Sequence, residues 1–303
     1  MLYFDYDFYV NHYKDIKSLN FIEACNHFLE HGLKEKRIFH SYLINFDYNF
    51  YVNHYKDIKN HDFLEASNHF LKHGTNEKRI FHSYLIYFDH KFYIEYYKDK
   101  ENIKDLNFLE ASNHFLKHGT NEKLLFNKNL INFDYDFYVN HNKNKKNVKV
   151  FNFIETCNHF IKYGLKEKLL FNSNLINFDY EFYVEYYKDK EDIKNLNFIE
   201  ASNHFLKYGL EEKLLFNSNL INFDYEFYVN NNPTEENIKG LNFTEACNYF
   251  IEHGLERKQL FNKKLINFDY DFYVEYYKNE EKIKNLKFLK ACNHFIDYGL
   301  KEK

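Results

Sequence analysis

A short apolar stripe at the start of the chain predicts a first helix. Phe8, Tyr9 and Tyr13 fall on one helical face, with polar residues between them. Asp5 stands where an N-cap carboxylate accepts a hydrogen bond from the free amides of the first turn. Phe4, just before Asp5, is placed to form a hydrophobic staple with Tyr9. The pattern therefore predicts a helix that begins directly after Asp5.

A second stripe follows and predicts a second helix. Asn20 stands at its N-cap position with Glu23 three residues later, which is a capping-box pattern. Gly32 comes after the last turn, where we expect a left-handed residue to end the helix. Replacing such a glycine with alanine should cost about 1 kcal/mol. The apolar residues recur at the i, i+3, i+4, i+7 and i+8 spacing of one helical face, not with the alternation of a strand: Phe21, Ala24, Cys25, Phe28 and Leu29.

The two-helix pattern occurs seven times, which decides the predicted architecture. Each copy starts at a Phe-Asp dipeptide, and the three residues added from the third copy onward lie in the loop between the two helices. A lone copy has too few apolar side chains to bury a core, so neighbours must share one. The sequence predicts an all-α fold of seven tandem two-helix repeats, stacked as a solenoid-like array that forms a single domain over 1–303. The copies span approximately 4–45, 46–87, 88–132, 133–177, 178–222, 223–267 and 268–303.

Helix-boundary residues recur in register with the copies. The capping-box pattern holds in the first six copies, whereas the seventh has Lys287 and Lys290 in those places. Pro233 follows the first helix of the sixth copy and is a further stop signal. Seven of the 8 glycines occupy the predicted helix-ending position: Gly32, Gly74, Gly119, Gly164, Gly209, Gly254 and Gly299.

Composition and charge exclude several classes of protein. The 45% hydrophobic content argues against general disorder, and 8 Gly with 1 Pro leave few turn residues for an all-β fold. The net charge is −4 and arginine occurs only at Arg37, Arg79 and Arg257, so we expect no nucleic-acid partner. No apolar run approaches the roughly 18 residues that span a bilayer, so we expect no membrane partner.

The start of the chain has no signal-peptide pattern, and four cysteines are too few for a disulfide scaffold. These features predict an intracellular, cytoplasmic protein. The excess of Phe, Tyr, Lys and Asn is typical of an A/T-rich genome, and a viral source would place the protein in the host cytoplasm or the virion.

The repeat resembles a known group of short Tyr/Phe-rich helical repeats, written F-D-x-x-F/Y-Y … A-x-x-H-F/Y/W-x-x-x-G-x-x-E-x-R. These repeats occur in bacterial surface or glycosyltransferase-linked proteins and in large DNA viruses of amoebae. The resemblance covers the whole chain but departs in two places, since Lys replaces Pro in most copies and the closing Arg is kept only in the first two. It implies an accessory or scaffold role and supplies no catalytic residue. The matching residues of the second copy are Phe46, Asp47, Phe50, Tyr51, Tyr55, Asp57, Ala66, His69, Phe70, Gly74, Glu77 and Arg79.

Two histidines and a glutamate in the second helix raise the question of a metal site. Glu23, His27 and His31 lie four residues apart on one helical stripe, and two imidazoles at this spacing can bind zinc. In later copies tyrosine replaces one of the histidines. Tyrosine can fill the same packed position, but it would not replace histidine as a zinc ligand. We therefore expect a packed rim, no bound metal and no cofactor.

Asparagine and cysteine also recur at fixed positions of the second helix. Asn precedes the first histidine position in every copy, and we expect its side-chain amide to bind the adjacent extended link. The alternative is that the row of asparagines binds a ligand. The cysteines share their position with Ser67, Ser112 and Ser202, which indicates packing. Near-identical copies offer no unique catalytic constellation, so we expect no enzyme and no catalytic residue.

Aromatic residues at the first position of the first helices offer the best candidate binding surface. Such a ladder could anchor a protein partner or stack on sugar rings; the alternative is that these rings only cover the joint between copies. We expect a non-enzymatic helical-repeat scaffold that binds a protein partner. The alternative is a carbohydrate-binding accessory module that acts with a separate glycosyltransferase. The candidate residues are Tyr6, Tyr48, Tyr135, Tyr180, Tyr225 and Tyr270, with His90 in the third copy.

Overall fold

The computed structural model describes residues 3–144, 152–232 and 238–301. These ranges contain fourteen α-helices, two in each copy, and no strand, which confirms the predicted all-α class and the seven two-helix units. The predicted stop at Pro233 lies outside the described residues. The first helices are α1 (Tyr6–His12), α3 (Tyr48–His54), α5 (His90–Tyr96), α7 (Tyr135–Asn142), α9 (Tyr180–Tyr186), α11 (Tyr225–Asn231) and α13 (Tyr270–Tyr276). The second helices are α2 (Phe21–His27), α4 (Phe63–His69), α6 (Phe108–His114), α8 (Phe153–His159), α10 (Phe198–His204), α12 (Phe243–Tyr249) and α14 (Phe288–His294).

The chain divides into two compact units. Unit 1 contains Met1–Ile131 and Asn147–Tyr163, and unit 2 contains Asn132–Lys146 and Gly164–Lys303. The division falls within the fourth copy, because α7 belongs to unit 2 and α8 to unit 1. Within each unit, neighbouring copies contact one another as in a solenoid. The single array over 1–303 stays a prediction.

The helices begin where the sequence predicts. Asp5 accepts a hydrogen bond from the Phe8 amide at 3.0 Å, and the equivalent aspartate caps the first helix in each of the other copies. The staple is also formed, with the Phe4 and Tyr9 ring centroids 5.1 Å apart. The second helices of the first six copies have complete capping boxes. The seventh, whose N-cap is Lys287, has no side-chain cap.

A buried tyrosine forms the centre of each copy. Tyr9 is fully buried, its ring packs against Phe4 and Phe28, and its hydroxyl shares a 3.1 Å hydrogen bond with Nδ1 of His27. Burial raises the pKa of Tyr9 to about 12, so the hydroxyl stays protonated. The same hydrogen bond joins the first and second helices in four other copies: Tyr51 with His69, Tyr93 with His114, Tyr183 with His204, and Tyr273 with His294.

The sixth copy keeps the buried tyrosine but changes its partner. Tyr249 stands where the other copies have the histidine. The Tyr228 hydroxyl instead donates to Oε1 of Gln259 at 2.6 Å. Because a buried hydroxyl needs a hydrogen-bond partner, the glutamine of the following link takes over the role of the imidazole.

The repeat glycines stand at the end of the second helix, as predicted, but none of them has the predicted left-handed conformation. The second helix of the first copy continues through a π-helical turn, Phe28–Gly32, and the left-handed residue is Lys36 with φ 51°. Glycine is required for a different reason. A Cβ added to Gly74 would lie 2.7 Å from both Phe70 Cδ2 and the Tyr51 hydroxyl oxygen, because those atoms fill the space beside its Cα.

In the first six copies, the link after the second helix packs back onto its own copy. The Phe39 carbonyl accepts a hydrogen bond from the Asp5 amide at 2.9 Å, and the Ile38 amide donates to the Tyr13 hydroxyl at 2.8 Å. The Phe39 ring is buried against Phe28, with ring centroids 5.0 Å apart. The predicted extended link is thus extended only in part, since it then turns through a 3₁₀ segment, Ser41–Leu43.

The lack of space for a Cβ at Gly74 predicts that substitutions of Gly74 and Tyr51 have non-additive effects on the free energy of unfolding. Gly74→Ala should destabilise the protein by about 1–3 kcal/mol, because the new methyl group displaces the Tyr51 hydroxyl and the Phe70 ring. In the background of Tyr51→Phe, one of these two clashes is absent, so the same change should cost less. Urea unfolding of the four proteins of this double-mutant cycle measures the coupling. Strictly additive effects would contradict the steric explanation.

The shared Cys/Ser position predicts a second effect on stability. The hydroxyls of Ser67, Ser112 and Ser202 are buried without a hydrogen-bond partner, whereas Cys247 fills the same position with a thiol. Ser112→Cys should therefore stabilise the protein by about 1 kcal/mol, because it removes an unpaired buried hydroxyl. Cys247→Ser is the matched reverse change and should cost a similar amount. Urea midpoints test both, and a loss of stability in Ser112→Cys would be incompatible with this account.

Candidate interaction surface

The predicted aromatic ladder lies at the joint between the two helices of each copy. Its members are half-buried in all seven copies. The Tyr6 hydroxyl donates to the Leu19 carbonyl at 2.9 Å, and its ring meets Phe21 edge-on at 5.8 Å. The hydroxyls of Tyr48, Tyr225 and Tyr270 donate to the equivalent carbonyls of their own copies. In the third copy, Nε2 of His90 lies 3.1 Å from the Leu106 carbonyl oxygen. These rings therefore hold the loop in front of the second helix.

In several copies, a lysine from the preceding copy covers one face of the ladder ring. The Lys36 ammonium lies 4.6 Å from the Tyr48 ring centroid, which is a cation–π contact. Lys36 is the left-handed residue of its link, and this backbone conformation places its side chain over the next copy. The same contact joins Lys168 to Tyr180, Lys213 to Tyr225 and Lys258 to Tyr270. A ligand that stacks on these faces would have to displace the lysine.

Grooves of similar lining lie beside this ladder in two copies. In the third copy a groove of about 510 Å³ is lined by Lys78, Asp89, His90, Phe108 and Asn127, among others. In the fifth copy a groove of about 360 Å³ is lined by the equivalent residues Lys168, Asp179, Tyr180, Phe198 and Asn217. Each groove thus combines an aromatic ring with a carboxylate, an amide and an ammonium.

The structure shows a second, more exposed series of rings that sequence reasoning missed. On the outer face of every first helix except α11, where Asn231 takes this place, a phenylalanine packs beside a histidine or tyrosine four residues later. The ring centroids of Phe92 and Tyr96 are 5.1 Å apart, as are those of Phe182 and Tyr186. The outward ring pairs are Phe8/His12, Phe50/His54, Phe92/Tyr96, Phe137/His141, Phe182/Tyr186 and Phe272/Tyr276.

The tyrosines of the outward ring pairs are exposed to solvent, unlike the buried tyrosines at the centre of each copy. Tyr96 is 50%, Tyr186 49% and Tyr276 68% exposed. The i, i+4 spacing on one helical face was the signal available in the sequence. The sequence alone did not distinguish these exposed positions from the neighbouring buried position of Tyr9, because aromatic residues occupy both.

The histidine pairs of the second helices have structural partners. The rings of His27 and His31 are 5.3 Å apart, but Nδ1 of His27 is hydrogen-bonded to Tyr9. Glu23 accepts a hydrogen bond from the Asn20 amide at 2.9 Å as part of its capping box. In the parts of the chain that the structure describes, no group of three or more His, Cys, Asp or Glu residues is arranged to hold a metal ion.

The cysteines are free thiols in packed positions. Cys157, Cys247 and Cys292 are buried, and Cys25 is partly buried. Burial raises the pKa of the Cys292 thiol to about 12, and it raises those of Cys157 and Cys247 further. Thiols held in the protonated form are poor nucleophiles, so this position has the chemistry of packing.

The repeated asparagine joins the link at the end of one copy to the second helix two copies further along the chain. Nδ2 of Asn45, in the link before the second copy, donates to Oδ1 of Asn113 in the third copy at 2.9 Å. The helix asparagine therefore binds a link, as predicted, but the link belongs to a copy two earlier in the chain and contributes a side chain in place of its backbone. The equivalent hydrogen bonds join Asn132 to Asn203, Asn177 to Asn248 and Asn222 to Asn293.

A second asparagine ladder joins successive links. Oδ1 of Asn127 accepts from the Asn129 amide at 3.0 Å, and its Nδ2 donates to the Tyr87 carbonyl at 2.9 Å. One side chain thus caps its own 3₁₀ turn and holds the preceding link. The same pair of bonds is made by Asn172, Asn217 and Asn262. In the first two copies His40 and His82 cap the turn through Nδ1 instead.

Comparison with known proteins adds no assignment. No protein-family model, curated protein or solved structure matches the chain. The resemblance to the Tyr/Phe-rich repeats therefore stays a prediction. Among the described residues, no helix has the length and apolar character needed to cross a bilayer.

One missing rung of the asparagine ladder gives a testable prediction. Tyr87 stands where the other links have asparagine, and the buried Oδ1 of Asn158 has no hydrogen-bond partner. Tyr87→Asn should supply the missing donor and stabilise the protein by about 1 kcal/mol. The matched reverse change, Asn45→Tyr, should remove the partner of Asn113 and cost a similar amount. Thermal unfolding measures both, and destabilisation by Tyr87→Asn would refute the explanation.

Proposed function

We propose that this chain is a non-enzymatic helical-repeat scaffold that binds protein partners through the outward ring pairs. The observation that carries the proposal is the recurrence of exposed, paired aromatic rings at the same place on the first helices. Rings such as Tyr96 and Tyr186 are about half exposed although they lie beside other aromatic side chains. Contiguous exposed aromatic surface is typical of interaction sites.

The chemistry of these rings supports a protein partner. Tyrosine offers a large contact area with few rotatable bonds and a hydroxyl for one hydrogen bond, which is why it is enriched at protein interfaces. The Tyr96 ring is also braced by Tyr97, with centroids 5.0 Å apart, so little side-chain freedom remains to be lost on binding. The ladder that begins with Tyr6 stays a predicted part of this surface.

The repeated construction supports a role without catalysis. Each copy presents nearly the same side chains in the same environment, so none is set apart as a reaction centre. The pKa of the buried Cys292 thiol is raised. His27 of the second helix, a candidate base, is hydrogen-bonded to the buried Tyr9. Repetition of one surface instead favours multivalent binding, in which several weak contacts act together.

A carbohydrate-binding accessory module is the second candidate function. The grooves beside His90 and Tyr180 favour it, because they place an aromatic ring next to Asp, Asn and Lys side chains. The lysine over the Tyr180 ring, 4.7 Å from its centroid, argues against stacking of a sugar on that face. The predicted association with a separate glycosyltransferase belongs to this alternative.

Affinity capture from the native host with the original chain and two variants tests the proposal. The triple change Tyr96→Ser, Tyr186→Ser and Tyr276→Ser removes exposed rings and should abolish capture of specific proteins, as identified by mass spectrometry. The matched control is Ile44→Ser with Ile266→Ser, two residues that are also exposed but lie outside the ring pairs; it should capture the same proteins. Equal capture by both variants would disprove the role of the ring pairs. Specific binding on a glycan array, without a protein partner, would favour the carbohydrate alternative instead.

A further inference from the structure

A polar groove lies between the link at the end of the fourth copy and the second helix of the sixth copy, both within unit 2. Its volume is about 380 Å³, which is within the size range of ligand-binding pockets. The side chains described along its walls include two carboxylates, two amides and three hydroxyls, but no lysine or arginine. The polar residues that line it are Ser173 and Asn174 of the link with Thr244, Glu245, Asn248, Tyr249 and Glu252 of the helix.

The sixth copy departs from the repeat pattern at this groove. Thr244 stands where the other copies have isoleucine or leucine, and Tyr249 stands where they have histidine. Glu252 stands where the second to fifth copies have lysine, and Lys290 of the seventh copy stands where the sixth has Glu245. The first copy also has both acidic residues, but it keeps the isoleucine and the histidine. The combination of new hydroxyls with two acidic side chains is therefore specific to the sixth copy.

The Thr244 hydroxyl indicates that this groove binds a ligand. Thr244 is only 6% exposed, and its hydroxyl makes no hydrogen bond to a described residue. A hydroxyl at a nearly buried place is costly unless a partner reaches it, whereas the isoleucine or leucine of the other copies needs no partner. Because Thr244 lines the groove, a bound ligand can supply that partner.

The two carboxylates of the groove are held in place and have no counter-charge. Nδ2 of Asn177 donates to Oε1 of Glu252 at 3.1 Å and to Oδ1 of Asn248 at 3.2 Å. Oε2 of Glu245 accepts from the Asn242 amide at 2.9 Å. Neither glutamate forms an ion pair with a described residue. The groove therefore carries a negative potential that attracts a cationic group.

The spacing of the carboxylates favours a segment with two cations over a single ion. Glu245 and Glu252 are seven residues apart, which is a rise of about 10 Å along a helix and too far for one ion to join them. In an extended segment of polyproline type, two residues three positions apart are separated by about 9 Å. Such a segment can place one basic side chain at each carboxylate.

The rest of the lining favours arginine over lysine. A guanidinium group binds a carboxylate through two parallel hydrogen bonds and also lies flat on aromatic rings. The Tyr249 ring between the two glutamates is held in place, since its hydroxyl accepts a hydrogen bond from Nη1 of Arg257 at 3.0 Å. A ring with little freedom to lose is a good surface for a planar cation.

We propose that this groove binds an extended basic segment of a protein partner, in which two arginines three positions apart pair with Glu245 and Glu252. The Thr244 hydroxyl accepts a further hydrogen bond from the arginine at Glu245. This site goes beyond the proposed ring-pair surface. It is formed by other side chains, and a defined peptide tests it, so either proposal can fail while the other stands.

Fluorescence anisotropy with a labelled Gly-Arg-Ala-Ala-Arg-Gly peptide, in a buffer of low ionic strength, tests the site on the full 303-residue chain. We expect saturable binding of one peptide per chain. Glutamine in place of both arginines should abolish binding, and lysine should weaken it by about 3- to 10-fold, because the paired hydrogen bonds are lost. Absence of saturable binding by the arginine peptide, or equal binding of either substituted peptide, would overturn the proposal.

Two matched variants of the chain locate the bound peptide. Glu245→Gln keeps a side chain that can complete the capping box, but it removes the charge and should weaken binding by about 10-fold. Glu200→Gln makes the same change in the fifth copy, which has Lys207 at the place of Glu252, and should leave peptide binding unchanged. Equal weakening by both variants would show that the peptide responds only to net charge and would refute the site.

Thr244→Val separates ligand binding from a structural role. It should weaken peptide binding by about 2- to 10-fold, because a hydrogen bond to the ligand is lost. Without the peptide it should raise the thermal unfolding midpoint, since it removes a nearly buried hydroxyl that has no partner. Unchanged peptide binding by this variant would contradict the proposal, as would binding of a glycan to the groove in place of the peptide.

Discussion

The hydrogen bond of one buried tyrosine organises each copy of this protein. The Tyr9 hydroxyl must find a partner because it is removed from water, and His27 of the second helix supplies it. This bond fixes the distance between the two helices of the copy. It also explains why no Cβ fits at Gly32, whose added methyl would lie 2.7 Å from the same hydroxyl oxygen. Where the histidine is absent, Gln259 satisfies the hydroxyl of Tyr228, so the requirement is kept although the partner changes.

Within each unit, the same polar contacts recur between copies. Asn45, at the end of the first copy, donates to Asn113 of the third copy, and the Lys36 ammonium of the first copy lies over the Tyr48 ring of the second. In the first six copies, the link after the second helix also places its phenylalanine in the core of its own copy.

Aromatic residues serve opposite purposes on the two sides of each first helix. Tyr93 is buried with its hydroxyl bonded, whereas Tyr96, three residues later, is half exposed beside Phe92. The buried ring stabilises the copy, and the exposed ring is part of the proposed interaction surface. Half-buried residues such as Tyr48 lie between these extremes, with the hydroxyl bonded and one face under a lysine.

The sequence alone determined the number of copies, the two helices in each, their N-caps and the loss of the capping box before α14, because these depend on local spacing. Only the tertiary structure decided which rings are buried, since Phe8 and Tyr9 are chemically alike and differ in what packs over them. The glycine position shows the same limit. Its residue type suggested a helix end, but the cause is a tyrosine hydroxyl that arrives from another helix, and a contact between distant residues leaves no mark in local spacing.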